Sequence, residues 1–324
     1  MALRVFLITI LMGITSTFGF GDCRTSEEIN PKKKSDIIQL KDPATKEERS
    51  YIFDRQIYLL RCDTLPQIRF WRKIMNLSKD SGLVNVADTR FVLSKCCTKE
   101  WNNNSEECKS ELKLSLKQFN CVEDSEKVFF TEGKSFFYDF NKVYPNLHQG
   151  ITVFQKNNVD PWYAQAILLI ESPGRLQKST AGAYGPFQLM PYVARKYGLI
   201  VNRKKDERAN LEKSAYCASM LLKNVCIPKT KQALDSLGIS YSEQDLWFRC
   251  LVMHTYHAGI GNVMPALEAC GVREPGMDLI QKLWQTQAKG FKNASQAYSQ
   301  LALAAMLEMD LRANVNYEQL ESRK

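Results

Sequence analysis

The strongest periodic signal in the chain begins at Asp160. Asp160-Pro161 reads as an N-cap followed by proline at the first helical position, and Trp162, Ala166, Ile167, Leu169 and Ile170 recur behind it at helical spacing. A segment apolar on nearly every side belongs in a core, and Glu171-Ser172-Pro173-Gly174 ends it. Further on, an apolar helix through Leu251, Val252 and Met253 breaks at Ala258-Gly259-Ile260-Gly261-Asn262. N-terminal to Asp160, apolar positions at helical spacing (Ile52, Ile57, Leu59 and Leu60; then Leu112, Leu114, Leu116 and Phe119) alternate with polar breaks such as Trp101-Asn102-Asn103-Asn104. This pattern predicts a small helical domain over residues 51–145, joined through Phe136–Gly150 to a larger helical domain over 146–312. Residues 22–50 are charge-rich without sustained periodicity and read as an arm, and residues 313–324 read as a polar tail. The fold class is mainly α.

Composition narrows the setting. With 324 residues, 44% apolar, 24% charged, 16 Gly and 11 Pro, the chain is neither collagenous, nor low-complexity, nor a multi-span membrane protein. Arg4 precedes an apolar run from Val5 to Met12, and Gly19 and Gly21 follow before Asp22. Residues 1–21 thus predict a secretory signal peptide, an exported (periplasmic or secreted) protein and no integral membrane segment after cleavage. Lipid attachment at Cys23 is the alternative, and Asp22 is a poor neighbour for it. Ten cysteines fall as six up to Cys121 and four from Cys217 onward; even counts without a CxxC pair predict three bridges and two, of open connectivity. The formal charge is +9, and residues 146–324 carry 21 basic against 15 acidic side chains, which favours an anionic partner.

Candidate chemistry starts with Glu171. At the C-terminal end of a buried helix its carboxylate meets the negative pole of the helix dipole and apolar surface, and both raise its pKa. A general acid needs that environment. An isolated helix-terminal Glu is more simply a solvated one, so its neighbours decide. Eight residues on comes Ser179-Thr180-Ala181-Gly182-Ala183-Tyr184-Gly185-Pro186-Phe187-Gln188-Leu189-Met190-Pro191, a small-residue loop entering a second helix. The third block is Thr255-Tyr256-His257-Ala258-Gly259-Ile260-Gly261-Asn262-Val263. Together the blocks resemble the catalytic domain of the soluble lytic transglycosylases, of goose-type-lysozyme-like fold. The family pattern is Glu-Ser at a helix end, Ser-x-x-Gly-Ala-x-Gly-Leu-Met-Gln-Leu-Met-Pro, and Ala-Tyr-Asn-Ala-Gly-x-Gly-x-Val. A weaker fourth block spans Asn210-Leu211 to Ala215-Tyr216. The resemblance covers roughly residues 146–312 and leaves the N-terminal part without an assigned role.

The resemblance implies cleavage of the β-1,4 bond between N-acetylmuramic acid and N-acetylglucosamine in peptidoglycan, with a 1,6-anhydro-muramic product and no cofactor. It makes Glu171 the acid and base, sets Ser172 and Gln188 on the substrate, and has Tyr256 hydrogen-bond near Glu171. The three blocks hold no second carboxylate; Asp160 and Glu212 read as an N-cap and a surface charge. His257 stands where the family has Asn, and Ile260 where it often has Pro, so His257 is a substrate-contact position with altered chemistry. His254 and His257 lie three apart, but no carboxylate completes a zinc set and His148 is distant, so no metal ligand is assigned. No phosphate loop or Gly-x-Ser-x-Gly elbow occurs, and Arg203-Lys204-Lys205 runs straight into Asp206 and Glu207, so no nucleic-acid partner is expected. The expected partner is the glycan strand. A muramidase that hydrolyses the same bond and a non-catalytic wall-binding or scaffold protein are the alternatives.

Overall fold

The computed structural model describes residues 34–41, 48–171 and 176–321. The expected signal peptide, Cys23, most of the expected N-terminal arm and Ser172 lie outside the described residues. Strands β1 (Ser35–Lys41) and β2 (Glu48–Asp54) form an antiparallel pair in which Ile37 faces Ile52. Helices α1 (Arg55–Leu59) and α2 (Pro66–Asn76) lead to β3 (Ser81–Val86), β4 (Val92–Cys97), α3 (Thr98–Asn103), α4 (Glu106–Phe119) and β5 (Val128–Glu132). The latter three strands make an antiparallel sheet of order β4-β3-β5.

From there on the elements are helical: α5 (Phe140–Lys156), α6 (Trp162–Glu171), α7 (Pro191–Lys196), α8 (Leu211–Leu221), α9 (Ile227–Ser236), α10 (Leu246–Ala258), α11 (Ile260–Cys270), α12 (Met277–Gln285) and α13 (Ala294–Glu321). A π-helical turn, Leu222–Cys226, links α8 to α9. The mainly helical class holds, and α6 is capped as the sequence implies, with the Trp162 N–H donating to Asp160 Oδ1 at 3.0 Å. The expected connection over 136–150 is mostly the start of α5, which carries Pro145 within it. The expected polar tail continues the backbone of α13 to Glu321. No Gly or Pro occurs between 294 and 321 to stop that helix, and its Ala, Leu and Met favour it.

The N-terminal part departs most from expectation. It contains strands as well as helices, because Val-, Phe- and Thr-bearing runs of five or six residues suit short strands that a helical period does not register. It also lacks a core of its own apart from a small cluster of Val84, Trp101 and Val128. Ile52, Phe70, Ile74 and Phe140 belong instead to one apolar core with Phe154, Trp162, Phe248 and Met306. Polar bonds lock the same seam. The Gln165 side chain of α6 accepts from the Ile52 N–H at 2.7 Å and donates to the Ile52 carbonyl at 2.9 Å, pairing with β2 as a neighbouring strand would. Arg249 of α10 binds Asp54 at 3.1 Å and Asp160 at 2.7 Å, tying the end of β2, the start of α6 and α10 together. Trp71 donates to Gln300 of α13 at 2.9 Å.

The expected disulfides are not formed among the described residues, where nine cysteines stand unbridged. Cys62, Cys217, Cys226, Cys250 and Cys270 are buried and pack as small apolar groups. Cys217 points its thiol at the Val193 carbonyl and Cys270 at that of Leu267. Cys96 and Cys97 are neighbours on β4, so their side chains leave opposite faces.

Candidate active site

Nine consecutive residues of α6, Trp162 to Ile170, are buried, and the next side chain is Glu171. The helix therefore delivers a carboxyl group from the middle of the core to the wall of a cleft of about 520 Å³. Burial pushes its pKa up to about 7, against a smaller downward pull from the hydroxyl of Tyr298, which donates to Oε1 at 2.6 Å. Among the described residues lining the cleft, Glu171 is the only carboxylic acid. Asp160 sits at the opposite end of α6, roughly 15 Å away along the helix at 1.5 Å per residue, and is spent on the cap and Arg249. Glu212 lies in the first turn of α8 and lines a different cavity.

The loop over 178–190 supplies another part of the cleft wall. Tyr184 bridges to Lys178 and to Leu189, folding the loop back on itself. Gly185 takes φ +91°, and a Cβ there would lie 1.9 Å from the Arg208 carbonyl oxygen, so only glycine fits. The Arg208 side chain, itself buried, donates to the carbonyls of Gly182 at 2.9 Å and Leu189 at 2.7 Å while Asp206 balances its charge. Gln188 lines the cleft, held at φ +46° by its own amide, which donates to the carbonyls of Gln177 at 2.7 Å and Gly185 at 3.2 Å.

Tyr256 also lines the cleft, near enough to Glu171 for the carboxylate charge to oppose its ionisation, yet its hydroxyl donates to the Phe187 carbonyl at 2.7 Å. It braces the loop, and the hydroxyl on Glu171 belongs to Tyr298. The His257 ring stacks on that of Tyr298 with centroids 4.3 Å apart, and burial lowers its pKa, which favours the neutral ring. The structure thus brings Glu171, Gln188, Tyr256 and His257 together; Ser172 is not among the described residues.

His254 is a core residue. Its Nδ1–H donates to the Ser295 carbonyl, its Nε2 accepts from the Ser299 hydroxyl, each at 2.8 Å, and the Trp284 N–H donates to Ser299. Burial pushes the His254 pKa down to about 3, so the ring is neutral and the chain takes this sense.

Tyr298 carries no sequence motif. The one available signal is a large phenol among the small residues of Ala294, Ala297, Ser299 and Ala302 in a helix otherwise able to pack closely.

Because Glu171 is more basic folded than unfolded, it contributes most to stability below about pH 4.5, and that contribution is lost as pH rises toward about 7. Glu171→Gln should therefore raise the melting temperature above pH 7 relative to the parent, with the difference vanishing near pH 4. Equal differences at both pH values in a calorimetric scan would mean that the carboxyl is not held in a desolvated site.

Residues 151–274 match the family model of the transglycosylase SLT domain, a family that acts on peptidoglycan. Glu171, Gln188, Tyr256 and His257 lie inside the match, and Tyr298 lies beyond it. No curated protein and no solved structure matches the chain.

Proposed function

We propose that the protein is an exported lytic transglycosylase that cleaves the β-1,4 bond between N-acetylmuramic acid and N-acetylglucosamine in peptidoglycan. The observation that carries this is Glu171: one carboxyl group on the cleft wall, protonated up to about pH 7 and oriented by the Tyr298 hydroxyl. In the first step the Glu171 carboxyl gives its proton to the glycosidic oxygen as the bond to the muramic anomeric carbon breaks. The N-acetyl group of the same sugar stabilises the cation that develops there. In the second step the Glu171 carboxylate removes the proton of the muramic 6-hydroxyl as that oxygen bonds to the anomeric carbon. The 1,6-anhydro ring closes, Glu171 is protonated again and no water is consumed.

Burial of Glu171 serves both steps, since a group with pKa near working pH gives and recovers a proton at comparable cost. The Tyr298 hydroxyl favours the carboxylate that exists between them. A hydrolytic muramidase commonly needs a second carboxylate, about 6.5–9.5 Å across the scissile bond to activate water or about 5–5.5 Å to act as a nucleophile. The described lining offers none. A binding or scaffold protein has no use for a buried acid with a raised pKa, which costs stability at neutral pH. Export rests on the leader-like pattern of residues 1–21 and on where this substrate lies; no helix among the described residues is long and apolar enough to cross a membrane.

The pH profile tests the assignment. Clearing of a purified peptidoglycan suspension should fall as pH rises through about 7, where Glu171 loses its acid form. Tyr298→Phe removes a bond that favours the carboxylate, so the alkaline limb should move to higher pH while the maximal rate drops. A limb that stays in place or shifts downward would separate Tyr298 from the titration, and a parent whose rate does not fall through about pH 7 would remove Glu171 from the acid role.

A further inference from the structure

A second cavity, of about 560 Å³, opens between the β4-β3-β5 sheet with α4 and the first turns of α13. Every residue lining it lies outside the 151–274 match. Its walls are aromatic. Trp101 stacks on Phe130 with centroids 4.5 Å apart, and the Phe130 ring has room because Gly82 lacks a Cβ, which would stand 2.2 Å from its Cζ. Arg90, in the tight turn between β3 and β4 at φ +59°, lays its guanidinium 5.4 Å from the Trp71 ring centre and 6.0 Å from that of Phe129. Its buried Nε has no hydrogen-bond partner. Lys113 Nζ stands 5.6 Å over Trp101.

The charges on these walls are unbalanced. Lys109 is neutralised by Glu106 at 2.8 Å. Arg90, Lys113 and Lys134 form no ion pair among the described residues, and Asp88 and Glu132 reach Arg90 and Lys134 only as more distant charges. Uncompensated cations beside apolar rings suit a ligand that carries carboxylates on a partly apolar body. In peptidoglycan the glycan backbone is uncharged where its lactyl groups are amidated, so the carboxylates sit on the attached peptides. We propose that this cavity is an accessory substrate site that takes the carboxylate-bearing peptides of the wall polymer while the glycan strand occupies the Glu171 cleft. The assignment rests on peptidoglycan being the substrate. Both sites meet α13: Ala294, Ala297 and Leu301 line the cavity, and Tyr298 holds Glu171.

The test is a pull-down in a Glu171→Gln background, which binds without cutting, using insoluble peptide-bearing wall and bead-immobilised glycan stripped of its peptides, its freed lactyl carboxylates re-capped as simple amides. Lys113→Glu with Lys134→Glu should weaken binding to the peptide-bearing wall roughly tenfold, the scale of two partly screened charge reversals, and leave binding to stripped glycan unchanged. The milder Lys113→Gln with Lys134→Gln should give a smaller loss of the same selectivity. Equal losses on both polymers, no loss on either, or preferential displacement by anionic phospholipid vesicles would overturn the proposal. If the Glu171→Gln parent binds neither polymer, peptidoglycan itself is the wrong substrate and both assignments fall.

Discussion

Glu171→Gln is expected to lower peptidoglycan cleavage by on the order of 10²–10⁴-fold, the usual contribution of a general acid–base group, while binding to the glycan persists. Gln is nearly isosteric, and its Oε1 can still accept from the Tyr298 hydroxyl, which lies 2.6 Å from the carboxyl oxygen it replaces. What it cannot do is give a proton to the leaving oxygen and take another from the attacking hydroxyl. The fall should be at the upper end of the range, because no other carboxylic acid lines the described cleft to substitute. Glu212→Gln, on α8 and away from that cleft, serves as the control and should leave the rate unchanged. Activity of Glu171→Gln within a few-fold of the parent would remove this residue from the chemistry.

Arg249→Met should cost about 3–5 kcal/mol of folding stability, the penalty for removing one partner of a buried ion pair. Asp54 is fully buried and Arg249 is 3% exposed, so neither can turn to water. The guanidinium binds Asp54 and Asp160, and lies 5.7 Å over the Trp162 ring. Without it Asp54 is an uncompensated carboxylate whose pKa burial already raises. The sign follows: the variant's folded state would hold the Asp54 proton more tightly than the unfolded state. The deficit is therefore present at neutral pH and shrinks as pH falls through the raised Asp54 pKa toward the ordinary carboxylate range. Adding Asp54→Leu should restore a substantial part of the loss, since an apolar replacement removes the stranded charge. Denaturant titrations at pH 7 and pH 4 read these effects. A loss under about 1 kcal/mol at both would mean that the junction of β2, α6 and α10 is held by apolar packing alone.

The parts of the molecule legible in the sequence are those set by local rules. The Asp160 cap, the buried face of α6 and the glycine that ends α10 each depend on residues within a turn or two of one another. Gly185 is likewise legible as a glycine in a close-packed loop. Tyr298 is not, because it reaches Glu171 from 127 residues away and nothing in its neighbourhood marks it. The same is true of the Gln165 clamp on Ile52, 113 residues distant. Such pairings are fixed by the packing of whole elements, which periodicity does not encode. The separate N-terminal domain fails for a related reason: the Ile57 and Ile74 positions read as the core of a small unit, whereas they complete the core around α6 and α13. Cysteine parity predicts bridges that the described residues do not form, and five of those side chains are buried as packing groups instead.

The chemistry of the released fragments tests the central claim most directly. If one carboxyl group serves both proton transfers, the nucleophile is the muramic 6-hydroxyl, already tethered to the sugar and so favoured over a water molecule that must be captured and activated. Mass spectrometry of a peptidoglycan digest by the purified protein should find muropeptides ending in 1,6-anhydro-muramic acid, each one water lighter than its hydrolytic counterpart, with no new reducing ends. A predominance of reducing, hydrated fragments would contradict the account and place a water-activating group opposite Glu171.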